Sequence, residues 1–278
     1  MKLVRYRPAA GEAAMPGLID GAGRLRDLSG HIPDLAGEAL GRAAVERLAA
    51  LDVESLPPVP GQARLAPPVA GTRNFIAVGL NYRDHARETG MAVPAEPVLF
   101  SKAAGALAGP YDDVVIPEGA TQVDWELELA VVIGERVHRA DEAEAARAVA
   151  GYCICNDVSE RHWQMGGTGQ WLKGKSAPTF GPLGPWLVTP DEVGDVSALA
   201  MSLTLNGEVM QQSSTAEMIF PPVFLISYIS RFMTLEPGDV VTTGTPAGVG
   251  MAHGRYLRPG DAMRLDIEGL GHQRQVVR

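Results

Sequence analysis

Acidic side chains at alternate positions of one segment give the clearest chemical signal in the sequence. Residues 124–129 (DWELEL) run directly into an apolar stretch, 130–133, which is typical of a buried strand. Successive side chains of a strand point to opposite faces, so Glu126 and Glu128 are expected on one face with their Cα atoms about 7 Å apart. Two such carboxylates repel each other unless a cation lies between them. The pair predicts either a metal site or the solvent-facing side of an edge strand.

A third carboxylate, Asp157, favours the metal site. It follows the apolar run 152–155 (YCIC) almost directly, at the end of a predicted strand where its side chain would face a cleft. Cys153 and Cys155 are better explained as buried apolar side chains, because no second cysteine pair or cysteine–histidine set accompanies them. Three carboxylates without a thiolate suit a hard cation completed by waters, either Mg²⁺ or Mn²⁺.

A histidine and a glutamate form a second candidate group. His85 and Glu88 stand three residues apart and would be neighbours on one face of a helix. The carboxylate would orient the imidazole and raise its basicity, which a general base for water requires. The spacing alone favours an ordinary histidine–glutamate pair at the surface.

A nucleotide-binding pattern is present, but its context excludes that function. Residues 169–176 (GQWLKGKS) match the phosphate-loop pattern GxxxxGK[ST], which binds phosphate only between a strand and a helix. The next segment, 177–185 (APTFGPLGP), contains three prolines and two glycines and cannot continue as a helix. Lys175 therefore remains as a cation for an acidic site.

The elements that must position these residues are mostly strands. Short apolar or alternating runs between glycine- and proline-rich turns predict a strand-dominated α+β protein with few helices. The pattern lacks the regular strand–helix alternation of a doubly wound sheet. The predicted strands include 75–80, 126–134, 186–188, 201–207, 239–243 and 263–267, and the predicted helices are 36–51, 82–88, 140–150 and 222–233.

Prolines divide the chain near residue 70. A helix cannot cross residues 57–60 (PPVP), and a second break follows at residues 67–68 (PP). Residues 1–70 are therefore predicted to form a small N-terminal domain with a proline-rich linker, and residues 71–278 a catalytic domain.

Composition excludes several classes of partner. The 278 residues include 24 Lys and Arg against 33 Asp and Glu, a formal net charge of −9, which argues against a nucleic-acid partner. No apolar run reaches the roughly 18 residues of a membrane span, and the start of the sequence, MKLVRYRP, lacks the apolar stretch of a signal peptide. Two cysteines cannot build a disulfide framework, so a cytoplasmic location is predicted.

Five sequence blocks together resemble the fumarylacetoacetate hydrolase family. Each block is weak alone, but five in the family's order with compatible spacing are specific, and the match runs from about residue 74 to 273. The blocks are 78–82 (VGLNY) with His85 and Glu88, 124–129 (DWELEL), 156–159 (NDVS) with Arg161 and Gln164, 173–176 (KGKS), and 243–250 (TGTPAGVG).

The resemblance implies a role for each candidate residue. Glu126, Glu128 and Asp157 resemble the family's metal ligands, and Lys175 resembles its catalytic lysine. His85 and Glu88 resemble a His–Glu dyad carried on a mobile lid. Arg161 and Gln164 resemble residues that bind a substrate carboxylate and position water, and Thr245 resembles a threonine that lines the substrate site. The implied fold is a mixed β-roll or β-sandwich catalytic domain with a small N-terminal domain, usually paired into a homodimer.

The resemblance also implies an activity on small anionic oxo acids. It is closest to members that act on 2,4-diketo-3-deoxy sugar acids or other acylpyruvates. It therefore implies Mg²⁺-dependent hydrolysis of a carbon–carbon bond, with His85 deprotonating water and pyruvate and a carboxylic acid as products. An oxo-acid decarboxylase (oxaloacetate-type) or lyase on the same metal site remains an alternative. A binding protein without turnover is another, because residues 177–178 (AP) replace the family's usual Phe-Asp.

Overall fold

Strands outnumber helices in the protein, whose computed structural model describes residues 1–9 and 11–278. The predicted strand-dominated α+β class is confirmed. The strands are β1 (Lys2–Arg7), β2 (Met15–Ile19), β3 (Leu25–Asp27), β4 (Arg64–Ala66), β5 (Phe75–Gly79), β6 (Val98–Lys102), β7 (Leu107–Ala108), β8 (Val123–Asp124), β9 (Leu127–Ile133), β10 (Val149–Asn156), β11 (Ser159–Glu160), β12 (Gly181–Val188), β13 (Ala200–Leu205), β14 (Glu208–Ser214), β15 (Val240–Thr242), β16 (Ala262–Ile267) and β17 (Gly271–Val276). The helices are α1 (Arg42–Ala49), α2 (Arg83–Thr89), α3 (Glu142–Arg147), α4 (Arg161–Met165), α5 (Leu172–Lys175), α6 (Pro190–Val193), α7 (Pro222–Ile229) and α8 (Gly250–His253).

One large mixed sheet organises the fold. Its strand order is β3-β2-β1-β12-β10-β9-β15-β5-β6, and a separate four-stranded sheet has the order β14-β13-β16-β17. The central strands β9 and β10 are buried at every residue, which suits near-continuous apolar runs covered on both faces. Strand β15 lies between β9 and β5, antiparallel to the first and parallel to the second.

The two faces of the central strands pack into different apolar clusters. Leu129 and Val131 of β9 belong to a cluster that includes the inward side chains of β13 and β16. Ala130 belongs to a second cluster, together with Leu40 and with Leu48 of α1. Alternation along β9 thus connects two cores, one against the four-stranded sheet and one against the N-terminal segment. Cys153 and Cys155 of β10 both lie in the second cluster, where burial raises the pKa of each thiol.

The N-terminal segment extends the large sheet. Strand β1 pairs with β12 (Lys2 opposite Val188), and β4 pairs with β1. The division of the chain near residue 70 stays a prediction. The helix predicted over 36–51 is interrupted, because Gly41 has an extended backbone (φ −67°, ψ 152°) between a 3₁₀ turn, Gly37–Leu40, and helix α1.

Strand β12 begins five residues earlier than the predicted strand 186–188. The ladder between β10 and β12 shifts register between Tyr152 and Ile154. Such irregularities allow prolines in a sheet, because a residue without an N–H then interrupts the ladder less.

Within the described residues, no helix combines the length and the apolar composition that crossing a bilayer requires. The cytoplasmic location and the homodimer stay predictions.

Candidate active site

Two antiparallel strands bring the three predicted carboxylates together. Glu128 lies in β9 directly opposite Cys155 of β10, while Glu126 precedes β9 and Asp157 follows β10. All three side chains are buried, and one oxygen from each lies within 4.8 Å of the others. The alternation expected from sequence, with Glu126 and Glu128 facing the same space, is therefore what the structure contains.

Glu126 and Glu128 have unequal pKa values. Burial raises the pKa of Glu128 well above its usual value, and repulsion from Asp157 and Glu126 raises it further. Burial also acts on Glu126, but the positive charges of Lys175 and Arg161 lower its pKa to about 2. The backbone N–H of Gly244, just after β15, donates to Glu128 Oε2 at 2.9 Å. Glu126 is thus held as a carboxylate, whereas the surroundings of Glu128 disfavour its charged form.

Two buried lysines contact this cluster. Lys175 Nζ, at the end of α5, lies 2.7 Å from Glu126 Oε2 and 2.9 Å from Asp157 Oδ2. Burial opposes its charge, but Asp157 and Glu126 outweigh burial and raise the pKa of Lys175. Lys102 Nζ, at the end of β6, forms a short hydrogen bond to the other oxygen of Asp157. Burial lowers the pKa of Lys102 despite this partner.

Arg161 connects the cluster to a further buried carboxylate. Its Nε donates to Asp124 Oδ2 at 2.8 Å, and its Nη1 donates to Gln164 Oε1 at 2.9 Å. Its Nη2 forms an ion pair with Glu126 Oε1 at 2.7 Å. One buried guanidinium thus joins Asp124 to Glu126.

The histidine–glutamate pair lies on a helix at the edge of the same cleft. The segment predicted over 82–88 forms α2, and His85 Nδ1 lies 3.2 Å from Glu88 Oε2. Glu88 Oε1 accepts a hydrogen bond from the Gly248 N–H at 2.9 Å. His85 lines the cleft together with Glu126, Glu128 and Lys175. Glu88 contacts the Nδ1 atom of the His85 imidazole. This arrangement orients the imidazole as a base requires.

Gly248 has a backbone that only glycine adopts readily, with φ +101°. A Cβ there would lie 1.9 Å from the carbonyl oxygen of Met210, and the Gly248 carbonyl accepts from the buried Trp125 indole at 3.0 Å. Gly248→Ala should therefore lower the free energy of unfolding by more than the roughly 1–3 kcal/mol of backbone strain alone, as measured by urea denaturation. Gly260→Ala is the matched control, with φ +93° and no atom within 4 Å of its added Cβ. Equal losses in the two variants would contradict the predicted clash.

The donor set fits a hard divalent cation. Four buried carboxylates (Asp124, Glu126, Glu128, Asp157) face three buried cations (Lys102, Arg161, Lys175), which leaves a formal surplus of one negative charge. Three of the carboxylates converge, and burial together with repulsion from the other two raises the pKa of Glu128. Oxygen donors of this kind suit Mg²⁺ or Mn²⁺ rather than a soft metal.

The structure places the sequence-predicted residues at one cleft, with differences of detail. Arg161 and Gln164 line the cleft, but Arg161 is already bound to protein carboxylates. Thr245 also lines it, yet its hydroxyl donates to the Leu127 carbonyl and accepts from Gln211. The sequence reasoning missed Lys102, which ends an otherwise apolar strand, VLFSK. A lone lysine at the end of such a strand was the available signal for it.

Several known proteins are similar to this chain in sequence and in fold. Residues 74–278 match the sequence profile of the fumarylacetoacetate (FAA) hydrolase C-terminal family. A Burkholderia cenocepacia protein named only as a candidate hydrolase is 51% identical over 281 residues, covering 100% of this chain and 99% of the relative. The solved fumarylacetoacetate hydrolase of the psychrophile Exiguobacterium antarcticum is 36% identical, with a TM-score of 0.89 and coverage of 100% and 99%. A 2-hydroxyhepta-2,4-diene-1,7-dioate isomerase from Mycobacterium marinum is 32% identical, with a TM-score of 0.77 and coverage of 100% and 98%.

Proposed function

The chain belongs to the fumarylacetoacetate hydrolase family, and on this premise we propose that it is a metal-dependent hydrolase of 2,4-diketo acids. The products are pyruvate and a carboxylic acid. The observation that carries the proposal is the convergence of three groups on one cleft, namely the carboxylate cluster, Lys175 and the His85–Glu88 pair. The acyl end of the substrate is either a sugar-derived chain or another acyl group.

In this proposal the cation, Mg²⁺ or Mn²⁺, would be bound by Glu126, Glu128 and Asp157. Such a cation supplies electrostatic stabilisation of negative charge that develops on the oxo-acid end, worth several kcal/mol. Its two charges turn the formal surplus of −1 at the site into +1, which favours an anionic substrate. Arg161 lines the cleft beside Glu126, and in this proposal its guanidinium helps to bind the substrate carboxylate.

The remaining groups act on water and on the carbonyl carbon. His85, oriented by Glu88, takes a proton from a water molecule whose oxygen adds to the C4 carbonyl. Lys175 donates a hydrogen bond to the resulting oxyanion. The C3–C4 bond then breaks, its electron pair remains with the three-carbon fragment, and protonation at C3 gives pyruvate. Water's oxygen remains in the carboxylic acid, so the atoms balance.

Pyruvate release is the test of this proposal. Purified protein is incubated with a series of 2,4-diketo acids, and pyruvate is measured with a coupled dehydrogenase assay. We expect release that EDTA abolishes and that excess Mg²⁺ or Mn²⁺ restores. The matched variant Glu128→Gln should lose the restoration, because one of the three ligands is gone. Metal-independent release, or no release from any diketo acid, would contradict the proposal.

A further inference from the structure

The cleft changes character between its floor and its mouth. The charged groups at the floor are buried, with Glu128 and Lys175 each only 1% exposed. Three methionines line the mouth, and they are exposed to 56% (Met91), 58% (Met165) and 37% (Met251). They come from three separate elements, since Met91 follows α2, Met165 ends α4 and Met251 lies in α8. Exposed apolar side chains that converge on one opening mark a binding surface rather than a chance distribution.

An aromatic wall joins the floor to the mouth. Lys175 Nζ lies 5.1 Å from the ring centroid of Phe100, and the Trp171 ring meets Phe100 edge-on at a centroid distance of 5.1 Å. Trp171 also lies against Gly79, where a Cβ would come within 2.7 Å of its Cζ3 atom. The Trp171 ring can pack at this position because residue 79 has no side chain. The path out from the catalytic lysine is apolar along this side.

Two polar side chains of the cleft lining already have hydrogen-bond partners within the protein. The Thr89 hydroxyl donates to the His85 carbonyl at 2.9 Å, and Gln164 Oε1 accepts from Arg161. The lining cations, Arg161 and Lys175, are bound to carboxylates at the floor. A polyhydroxylated chain would lose hydration at the methionines, whose side chains offer no strong hydrogen bond in return. A distal carboxylate, as in the compound for which the M. marinum isomerase is named, would gain no charged partner from these methionines.

We propose that the non-reacting end of the substrate is apolar, an aliphatic or aromatic acyl group, and that Met91, Met165, Met251 and Trp171 select it. The inference rests on the proposed function of the same cleft and narrows it to apolar acylpyruvates rather than sugar-derived diketo acids. Methionine side chains are flexible and polarisable, so they adapt to acyl groups of different shape. The aromatic wall provides a flat surface on which an alkyl chain or ring packs.

Binding of two matched oxo-acid mimics tests the inference without requiring turnover. N-butyloxamate and N-(2,3-dihydroxypropyl)oxamate share the same charged head and differ in an apolar or a hydroxylated tail. Titration calorimetry with Mg²⁺ present should give about tenfold tighter binding of N-butyloxamate, since each buried methylene contributes roughly a three- to fourfold gain. Equal affinities, or tighter binding of the dihydroxypropyl compound, would overturn the inference.

A pair of variants shows whether the methionines cause the preference. Met165→Gln should reduce the ratio of the two affinities by about threefold or more, because a polar side chain of similar length replaces an apolar one. Leu172→Gln is the control, since Leu172 is 49% exposed and adjacent to Trp171 but does not line the cleft. An unchanged ratio in Met165→Gln would overturn the role given to that methionine.

Kinetics separate this inference from the proposed function. Hydrolysis of 2,4-dioxooctanoate should exceed that of 2,4-dioxopentanoate by about tenfold in kcat/KM, because the longer acyl tail reaches the apolar mouth. Failure of both to release pyruvate would contradict the proposed function, while the oxamate titrations would still decide the tail preference. Release with equal kcat/KM would support the proposed function and overturn the apolar tail site.

Discussion

Replacing His85 by glutamine should lower diketo-acid hydrolysis by about 10²–10⁴-fold and leave decarboxylation of oxaloacetate nearly unchanged. Hydrolysis requires a base that takes a proton from water, and the His85 imidazole has Glu88 at 3.2 Å to orient it. Decarboxylation breaks the carbon–carbon bond to the departing carboxylate without attack by water, so it does not require that base. Pyruvate release from a 2,4-diketo acid and from oxaloacetate, measured on the same preparations, gives both rates.

The control for this substitution is a histidine outside the cleft. His138 is exposed and contacts the Thr234 hydroxyl, so His138→Gln should leave both activities unchanged. Equal loss of hydrolysis and decarboxylation in His85→Gln would contradict the role of general base. A wild-type protein that decarboxylates oxaloacetate and hydrolyses no diketo acid would instead favour the decarboxylase alternative on the same carboxylate cluster.

Lys175→Met should lower kcat for hydrolysis by about 10²–10³-fold while tightening the binding of Mg²⁺. The catalytic loss follows from removal of a donor to the oxyanion. The tighter binding follows because Lys175 Nζ lies 2.7 and 2.9 Å from oxygens of two proposed ligands, where its charge repels a metal ion. Removing one partner of a buried ion pair typically costs 3–5 kcal/mol, so the metal-free variant should also be less stable, and Mg²⁺ should raise its Tm more than that of the wild type.

A neighbouring lysine provides the matched control for Lys175. Lys173 precedes it by two residues and is exposed, so Lys173→Met removes the same charge without touching the cluster. We expect kcat and the Mg²⁺ dissociation constant of this variant to stay near those of the wild type. Weaker Mg²⁺ binding in Lys175→Met, measured by calorimetry, would contradict a metal site formed by these carboxylates.

Local patterns explain the features that could be predicted from sequence. The family and the fold class were both identified correctly, because motif order and strand-like periodicity are local properties of the chain. The shared face of Glu126 and Glu128 follows from the two-residue period of a strand, and α2 follows from a helical spacing. The roles assigned to the individual site residues stay predictions. The structure places seven of them in the lining of one cleft, and the other two, Glu88 and Asp157, contact His85 and Lys175 of that lining.

Features that depend on distant pairing could not be predicted in this way. The pairing of β1 with β12, which joins the N-terminal strands to the large sheet, brings together residues that are far apart in the sequence, such as Lys2 and Val188. Lys102 at the end of β6 contacts Asp157 after β10, two residues 55 positions apart in the sequence, so the spacing of Lys102 from its neighbours did not predict this contact. The hydrogen bond from Gly248 to Glu88 could not be predicted for the same reason, since α2 and the segment after β15 are far apart along the chain.

The insertion of β15 between β5 and β9 has a consequence for biosynthesis. Val240 of β15 pairs with Phe75 of β5. Strands β5 and β9 therefore lack the strand between them until most of the chain has left the ribosome. The Gly244 amide that holds Glu128 follows β15 and arrives equally late. Contacts between such distant segments form slowly, because a long loop must close first. A nascent chain that has emerged only as far as β10 therefore carries the three carboxylates without the Gly244 N–H that holds Glu128.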